Sequence, residues 1–190
     1  MKATMSLILT LTLMTGIAHA DPIIWSESDG GNGNAYEVID HGSSLTWEEA
    51  SALAESMGGY LVSLTSEAEN SFVAELVSGA TGPFDSYWLG GYQSDLSAEP
   101  DGGWAWASGE YWDPVFAASR WASGEPNNGV GGTQHYLHFW PSLPLWDDMD
   151  NRNTMTGYVV EYSKVPEPGT LGLLGLGMLA VGVARRRRNR

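Results

Sequence analysis

Residues 121–128 read Trp-Ala-Ser-Gly-Glu-Pro-Asn-Asn, which places one carboxylate and two carboxamides around a proline. Glycine and proline so close together predict a loop rather than a helix or a strand. The proline ring fixes its own φ angle and so stiffens the turn between Glu125 and Asn127. The stretch therefore predicts oxygen-bearing side chains on a restrained loop, and the surrounding sequence decides what they do.

Two amphipathic helices are predicted upstream of this loop. Thr46-Trp-Glu-Glu49 and Ser66-Glu-Ala-Glu69 both have the Ser/Thr-x-x-Glu pattern of a helix capping box. Apolar residues then recur at helical spacing, so one face of each helix is expected to pack on the core. The first face comprises Ala50, Leu53, Ala54 and Met57, and the second comprises Ala68, Phe72, Leu76 and Val77.

Short strands account for most of the remaining regular structure. Apolar or alternating runs predict strands at residues 36–39, 60–64, 87–91, 136–140 and 157–162. A long region rich in glycine and tryptophan separates the third of these strands from the fourth. This arrangement predicts an α+β fold with short antiparallel strands and with the functional residues on loops.

The first 20 residues have the pattern of a secretory signal peptide. Lys2 precedes an apolar run over residues 5–17, and Ala18-His19-Ala20 supplies the small residues that a signal peptidase recognises. A buried core helix is the alternative interpretation. The signal peptide, residues 1–20, predicts an exported protein whose mature chain begins near Asp21.

Residues 165–190 have the pattern of a membrane anchor with a basic tail. Pro166-Glu167-Pro168 precedes the uncharged residues 169–184, and Arg185-Arg-Arg-Arg188 and Arg190 follow. A helix over these 16 uncharged residues is about 24 Å long, short of the roughly 30 Å of a hydrocarbon core. We therefore expect a weak single-span transmembrane helix at 169–184, with the arginines in the cytoplasm.

The order of these C-terminal parts resembles the PEP-CTERM sorting signal of Gram-negative bacteria. The resemblance implies transient insertion in the inner membrane and cleavage near Pro166, Glu167 and Pro168 by an exosortase-type enzyme. It also implies a final location at the cell surface or outside the cell, associated with extracellular polysaccharide. An ordinary tail anchor is the alternative.

The segment 21–164 has the length of one domain and is strongly acidic. It contains 22 acidic and three basic residues, a net charge of −19 with histidine neutral. Nucleic acid is excluded as a partner because its binding needs clustered lysine and arginine. Divalent cations fit this charge. The chain has no cysteine, so no disulfide stabilises the exported domain.

Several motifs of this segment, in their order, resemble a C-type lectin domain. The resemblance begins at Tyr36 and ends at Tyr162, and it covers most of the segment. The motifs are Trp47-Glu-Glu-Ala50, Gly58-Gly-Tyr-Leu-Val62, Trp88-Leu-Gly-Gly91, Trp104-Ala-Trp106 with Ser108-Gly109, Trp121 to Asn128, and Trp146-Asp-Asp148. The resemblance implies a C-type lectin-like fold in which most of these tryptophans belong to the core.

The resemblance also implies a calcium site with carbohydrate bound to it. Its metal ligands are Glu125, Asn127, Gln134, Asp147 and Asp148, and Pro126 follows a cis peptide bond. Carbohydrate would contact Glu125, Asn127, Asp147 and Asp148. The Glu-Pro-Asn motif implies a mannose- or glucose-like ligand with neighbouring equatorial hydroxyls.

Two ligand positions and four cysteine positions depart from the family pattern. Gln134 stands where the family has glutamate, and Asp147 stands where it has asparagine. The formal charge of the ligand set stays the same, but its donor and acceptor pattern changes. The resemblance places the missing cysteine pairs at Ala54 with Val160 and at Tyr136 with Asn151, and the first pair is expected to become an apolar contact.

Other interpretations of these residues remain open. A lectin-like structural or adhesion protein could use the same fold without calcium or sugar, because a fold does not fix a function. Glycoside hydrolysis would need a carboxylate pair such as Glu110 with Asp113 or Glu125 with Asp148. Any acidic secreted domain offers such pairs, so we predict no enzymatic activity. Zinc binding through His135 and His138 is disfavoured, since residues three apart on a strand face opposite sides.

Overall fold

The computed structural model describes residues 21–141, 143–151 and 155–164. The predicted signal peptide, residues 1–20, and the predicted sorting signal, residues 165–190, lie outside the described residues, as does the predicted transmembrane helix at 169–184. Within the described ranges, no helix has the length and apolar character needed to cross a membrane.

Helices and strands are interspersed along the chain, and the predicted α+β class is confirmed, although one strand pair is parallel where antiparallel strands were predicted. The helices are α1 (Trp47–Ser56), α2 (Glu67–Ser78) and the short α3 (Pro114–Ala118). The strands are β1 (Ile23–Ile24), β2 (Ala35–Leu45), β3 (Tyr60–Leu61), β4 (Tyr87–Gln93), β5 (Trp104–Trp106), β6 (Gln134–Phe139), β7 (Trp146–Asp150) and β8 (Met155–Tyr162). They form one sheet in the order β1-β2-β8-β4-β6-β7, with β3 paired to β8 and β5 paired to β4.

Helix α1 begins as the sequence predicts. The Thr46 hydroxyl accepts from the Glu49 amide, and the Glu49 carboxylate accepts from the Thr46 amide, which completes the capping box. Ala50 and Ala54 are fully buried. Leu53 was predicted on the same face, but its side chain is exposed. The buried face of α1 is therefore narrower than the apolar pattern predicts.

Helix α2 differs from its prediction at the capping glutamate. The Ser66 hydroxyl accepts from the Glu69 amide, but the Glu69 carboxylate accepts from Thr65 and Tyr36 instead of closing a capping box. Of the predicted stripe, Val77 is buried and Phe72 and Leu76 pack partly buried against the core, but Ala68 is exposed. Glu69 and Asn70, which were not predicted to face the core, are buried. The buried apolar residues of α2 are Val73, Ala74 and Val77.

Asn70 connects this helix to the strand that carries the candidate site. Its carboxamide donates to the Pro144 carbonyl at 2.8 Å and accepts from Trp146 Nε1 at 2.8 Å. A buried polar side chain is tolerated when it is hydrogen-bonded in this way. Asn70 therefore fixes Trp146, the first residue of β7, in the core.

Tryptophans pack the irregular region against the same strand. Trp112 stacks on Trp104 at 5.8 Å between ring centroids, and Trp121 lies 5.0 Å from Trp104 and 5.8 Å from Trp146. Trp88, Trp104 and Trp106 are buried and Trp121 is partly buried against the core, as the resemblance implies. The long loop region is thus anchored by aromatic packing next to β7.

Both missing cysteine pairs are replaced by other contacts. Ala54 and Val160 are fully buried in one apolar cluster, as expected. Tyr136 and Asn151 both donate to the carboxylate of Glu48, at 2.6 Å for the tyrosine hydroxyl. Burial raises the pKa of Glu48, but these hydrogen bonds outweigh it and lower the pKa overall. A charged bridge therefore links the two positions without a disulfide.

Candidate metal and carbohydrate site

The β6–β7 hairpin places two adjacent aspartates next to the proline loop. Asp147 lies opposite His138 and Asp148 lies opposite Leu137 in the antiparallel register. The backbone of Trp146 donates to the Arg120 carbonyl at 2.8 Å and accepts from the Ala122 amide at 2.9 Å. These bonds hold the start of the loop at 121–128 against the start of β7.

Asp148 anchors the C-terminal end of this loop through hydrogen bonds. Its side chain is fully buried, and its two carboxylate oxygens accept from the amides of Asn127 at 2.9 Å and Asn128 at 2.7 Å. The Glu125–Pro126 peptide bond is cis, as the resemblance implies, and so is Glu99–Pro100. The loop and β7 therefore form one hydrogen-bonded unit.

Three carboxylates converge in this unit. One oxygen from each of Glu125, Asp147 and Asp148 lies within 4.8 Å of the other two. Asp148 is buried, and Glu125 and Asp147 are partly buried. Like charges this close repel one another unless a proton or a cation lies between them.

The pKa of Glu125 reports this repulsion. It is raised to about 7, first by burial and then by the negative charge of Asp147 and by the hydrogen bond and charge of Asp148. A hydrogen bond from the Asn127 side chain lowers it in part. A bound cation would reverse the effect, because an opposite charge favours the ionised carboxylate.

Two buried oxygens without a donor also make the residues fit a hard cation. Glu125 Oε2 and Gln134 Oε1 are buried and have no hydrogen-bond partner among the described residues. Gln134 Oε1 lies against Gly129, where an added β-carbon would come within 2.5 Å of it. Buried oxygens without a donor are unusual, and carboxylate and amide oxygens are the ligands that calcium prefers. The residues present therefore fit calcium.

The structure groups three of the five predicted ligands directly, and the other two lie beside them in the chain or on the adjacent strand. Glu125, Asp147 and Asp148 meet directly, and the Asn127 carboxamide contacts Glu125. Asn127 Oδ1 also accepts from the Gly129 amide at 2.6 Å, which orients the side chain. Gln134 lies at the start of β6, opposite Asp150. Its backbone amide donates to Asn128 Oδ1.

His138 is a neighbour of the site that sequence reasoning did not assign to it. Its buried Nε2 lies 3.3 Å from Asp147 Oδ2, without the alignment of a hydrogen bond, and its Nδ1 lies 3.1 Å from the Asp85 carbonyl. His135 instead contacts Glu99 at 2.9 Å and Gln93 at 3.1 Å. The two histidines have separate partners, so they do not form the zinc site considered above.

The carboxylates considered for glycoside hydrolysis have structural contacts. Asp113 accepts from the amides of Val115 and Phe116 and so caps α3. Glu110 accepts from the Ser108 hydroxyl at 3.1 Å. Glu125 and Asp148 belong to the metal cluster described above.

Two sequence models match the chain. The lectin C-type domain matches residues 43–155, and the PEP-CTERM protein-sorting motif matches residues 164–188. The lectin match spans more than half of the chain. The protein therefore belongs to the C-type lectin domain family, and it carries a PEP-CTERM sorting motif.

Known proteins agree with this assignment. Perlucin-like protein of Mytilus galloprovincialis is 31% identical over 114 residues, which is 60% of this chain and 67% of the relative. Ladderlectin of Oncorhynchus mykiss is 31% identical over 116 residues, 61% of this chain and 57% of the relative. The C-type carbohydrate-recognition domain of cow CD23 has a TM-score of 0.54 at 23% identity, covering 67% of this chain and 86% of that one. At that identity the structural match shows the shared fold alone.

Proposed function

We propose that this protein is an exported lectin that binds carbohydrate through a calcium ion. The ligands are Glu125, Asn127, Asp147 and Asp148, with Gln134 as a fifth. The observation that carries this proposal is the convergence of three carboxylates, one of which, Glu125, has a buried oxygen without a hydrogen-bond donor. Family membership supports the same proposal, and the cow CD23 domain was crystallised in the presence of a GlcNAc2Man3 oligosaccharide.

When bound, calcium would accept oxygens from these side chains and from neighbouring sugar hydroxyls. The protein side chains would orient the sugar through hydrogen bonds. Glu125 and Asp147 only accept when ionised, whereas the carboxamides of Asn127 and Gln134 also donate. A hydroxyl that faces Asp147 must therefore donate its proton to it. The Glu-Pro-Asn motif supports a mannose- or glucose-type sugar, or an extracellular polysaccharide that displays a pair of neighbouring hydroxyls, as the ligand.

The two ends of the chain support the proposed location. The predicted signal peptide at 1–20 would direct export, and the PEP-CTERM motif matched at 164–188 would direct sorting. We propose transient anchoring in the inner membrane through residues 169–184, cleavage near Pro166 by an exosortase-type enzyme, and release to the cell surface or beyond. The lectin domain would then occupy residues 21–164.

A second candidate is a structural or adhesion protein that needs neither calcium nor sugar. The hydrogen bonds of the loop favour this second candidate. The side chains of Asp148 and Asn127 accept from backbone amides of the loop and so hold it without a metal ion. The raised pKa of Glu125 and the donor-free oxygens favour the calcium site instead. The two candidates differ in whether binding responds to calcium.

Immobilised sugars provide the test. The purified protein is passed over mannose, glucose and galactose resins in calcium, and bound protein is then eluted with EGTA. We expect retention on the mannose or glucose resin and complete elution by EGTA. Glu125→Gln is the matched control and is expected not to be retained, because it lacks one charged ligand. No retention on any of the resins would support the second candidate. Retention that survives EGTA, or retention of the variant, would contradict sugar binding through calcium at this site.

A further inference from the structure

Asn128 uses nearly all of its polar groups to hold the metal-binding loop. Its amide donates to Asp148 Oδ2 at 2.7 Å, and its side-chain Oδ1 accepts from the Gln134 amide at 3.0 Å. Its carbonyl accepts from the Thr133 amide at 3.2 Å. Asn128 has a φ of 57°, in the left-handed region that asparagine tolerates better than most residues. One residue thus closes the loop 129–133 and joins it to β7.

A residue from a distant segment holds Asn128 in this position. Glu99 Oε2 accepts from Asn128 Nδ2, and Glu99 Oε1 lies 2.9 Å from His135 Nδ1. Glu99 precedes Asn128 by 29 residues, and its side chain is only 18% exposed. Its carboxylate therefore bridges the two ends of the loop, at Asn128 and at His135 just after Gln134.

We propose that Glu99 is a positioning residue for the metal site, and that its contact with Asn128 holds the loop in its metal-binding conformation before any metal is present. Three of the proposed ligands depend on this contact. Asp148 is tied to Asn128 directly, Asn127 is its chain neighbour, and Gln134 is bonded to its side chain. The effect on calcium affinity rests on the proposed function, whereas the order of the metal-free loop does not.

The reason is conformational entropy. The loop contains Gly129, Gly131 and Gly132, all with positive φ, and Val130 at its tip is fully exposed. Glycine has the largest backbone freedom to lose, so an untethered loop of this composition would be ordered only when metal binds. A loop already closed by Glu99 and Asn128 binds metal without that loss.

Glu99→Ala and Glu99→Gln are the matched pair for the first test. Glutamine keeps an oxygen that accepts from Asn128 Nδ2, whereas alanine removes it. Hydrogen exchange of peptides covering residues 125–134 is measured on the full-length protein in EGTA. We expect at least about tenfold faster exchange in Glu99→Ala and a rate close to wild type in Glu99→Gln. Unchanged exchange in Glu99→Ala would overturn the proposal.

Calcium affinity gives the second readout. Residues that orient metal ligands typically change metal affinity by about 10- to 100-fold, and we expect about tenfold weaker binding in Glu99→Ala with the urea midpoint in EGTA unchanged. Asn128→Gly keeps the left-handed backbone and the amide but removes the whole carboxamide, including its bond to the Gln134 amide, so it should weaken calcium binding at least as much as Glu99→Ala. The double variant should be no weaker than Asn128→Gly alone, and additive losses would refute the contact as the cause. If the wild type binds no calcium, the proposed function fails, and the exchange experiment still decides the role of Glu99.

Discussion

Glu125→Gln is expected to abolish calcium binding and, at the same time, to stabilise the calcium-free protein above neutral pH. The substitution keeps the size of the side chain and removes its charge. The calcium site loses one of its three converging carboxylates, and affinity should fall at least about 100-fold, because affinity in such sites follows the charge of the ligand set. The metal-free protein loses one of three carboxylates that repel each other.

The sign of the pH effect follows from the raised pKa. The Glu125 pKa is raised from 4.5 to about 7 in the folded protein, first by burial and then by Asp147 and Asp148. The stability this group contributes is therefore present below about pH 4.5 and is lost as the pH rises through about 7. Because the side chain is partly solvated, we expect the variant to gain on the order of 1 kcal/mol at about pH 8.

Urea unfolding in EGTA at several pH values measures this gain. Burial also raises the pKa of Glu161 to about 7, but that residue is the same in both proteins and contributes equally to both curves. The difference between the curves should vanish near pH 4 and open above about pH 7. A variant that is less stable than wild type at every pH would contradict the repulsion inferred at the site.

Asp148→Ala is expected to abolish calcium binding and, in contrast to Glu125→Gln, to destabilise the metal-free protein. The buried carboxylate accepts from two backbone amides, and alanine leaves both without a partner. Each unsatisfied buried donor costs about 1–3 kcal/mol, so the loss for the two amides is roughly 2–6 kcal/mol in total. Calcium titration and urea unfolding in EGTA measure the two effects separately.

Asp148→Asn is the matched control for this effect. Asparagine keeps one oxygen that accepts from the Asn127 or Asn128 amide, so it should recover part of the stability but none of the calcium binding. Full stability in Asp148→Ala would mean that the two hydrogen bonds do not hold the loop.

The sequence predicted the parts of the fold that depend on local patterns. Thr46 and Glu49 identify the start of α1, because the capping box is a short-range motif. The buried face of the second helix was predicted only in part, because Glu69 and Asn70 are polar residues that bury their side chains. Their partners, Tyr36 and Trp146, are distant in sequence, and periodicity does not contain that information.

The candidate site was predictable to a similar extent. Glu125, Asp147 and Asp148 were identified from their motifs, and the structure brings them together. Glu99 was not, because nothing in its local sequence links it to Asn128. His138 was considered only as a zinc ligand, although its place opposite Asp147 follows from the strand register. Contacts across strands and between loops need the tertiary structure, whereas short motifs do not.

A calorimetric titration of calcium into the purified protein near neutral pH decides whether the converging carboxylates bind calcium. We expect one saturating site with a Kd of about 10⁻⁴–10⁻³ M or tighter. We also expect proton release on binding, since Glu125 is partly protonated at this pH, so the heat should depend on the ionisation enthalpy of the buffer. No heat in any buffer, together with a thermal midpoint that calcium does not change, would contradict the proposed calcium site. The three carboxylates would then belong to a lectin fold that works without metal.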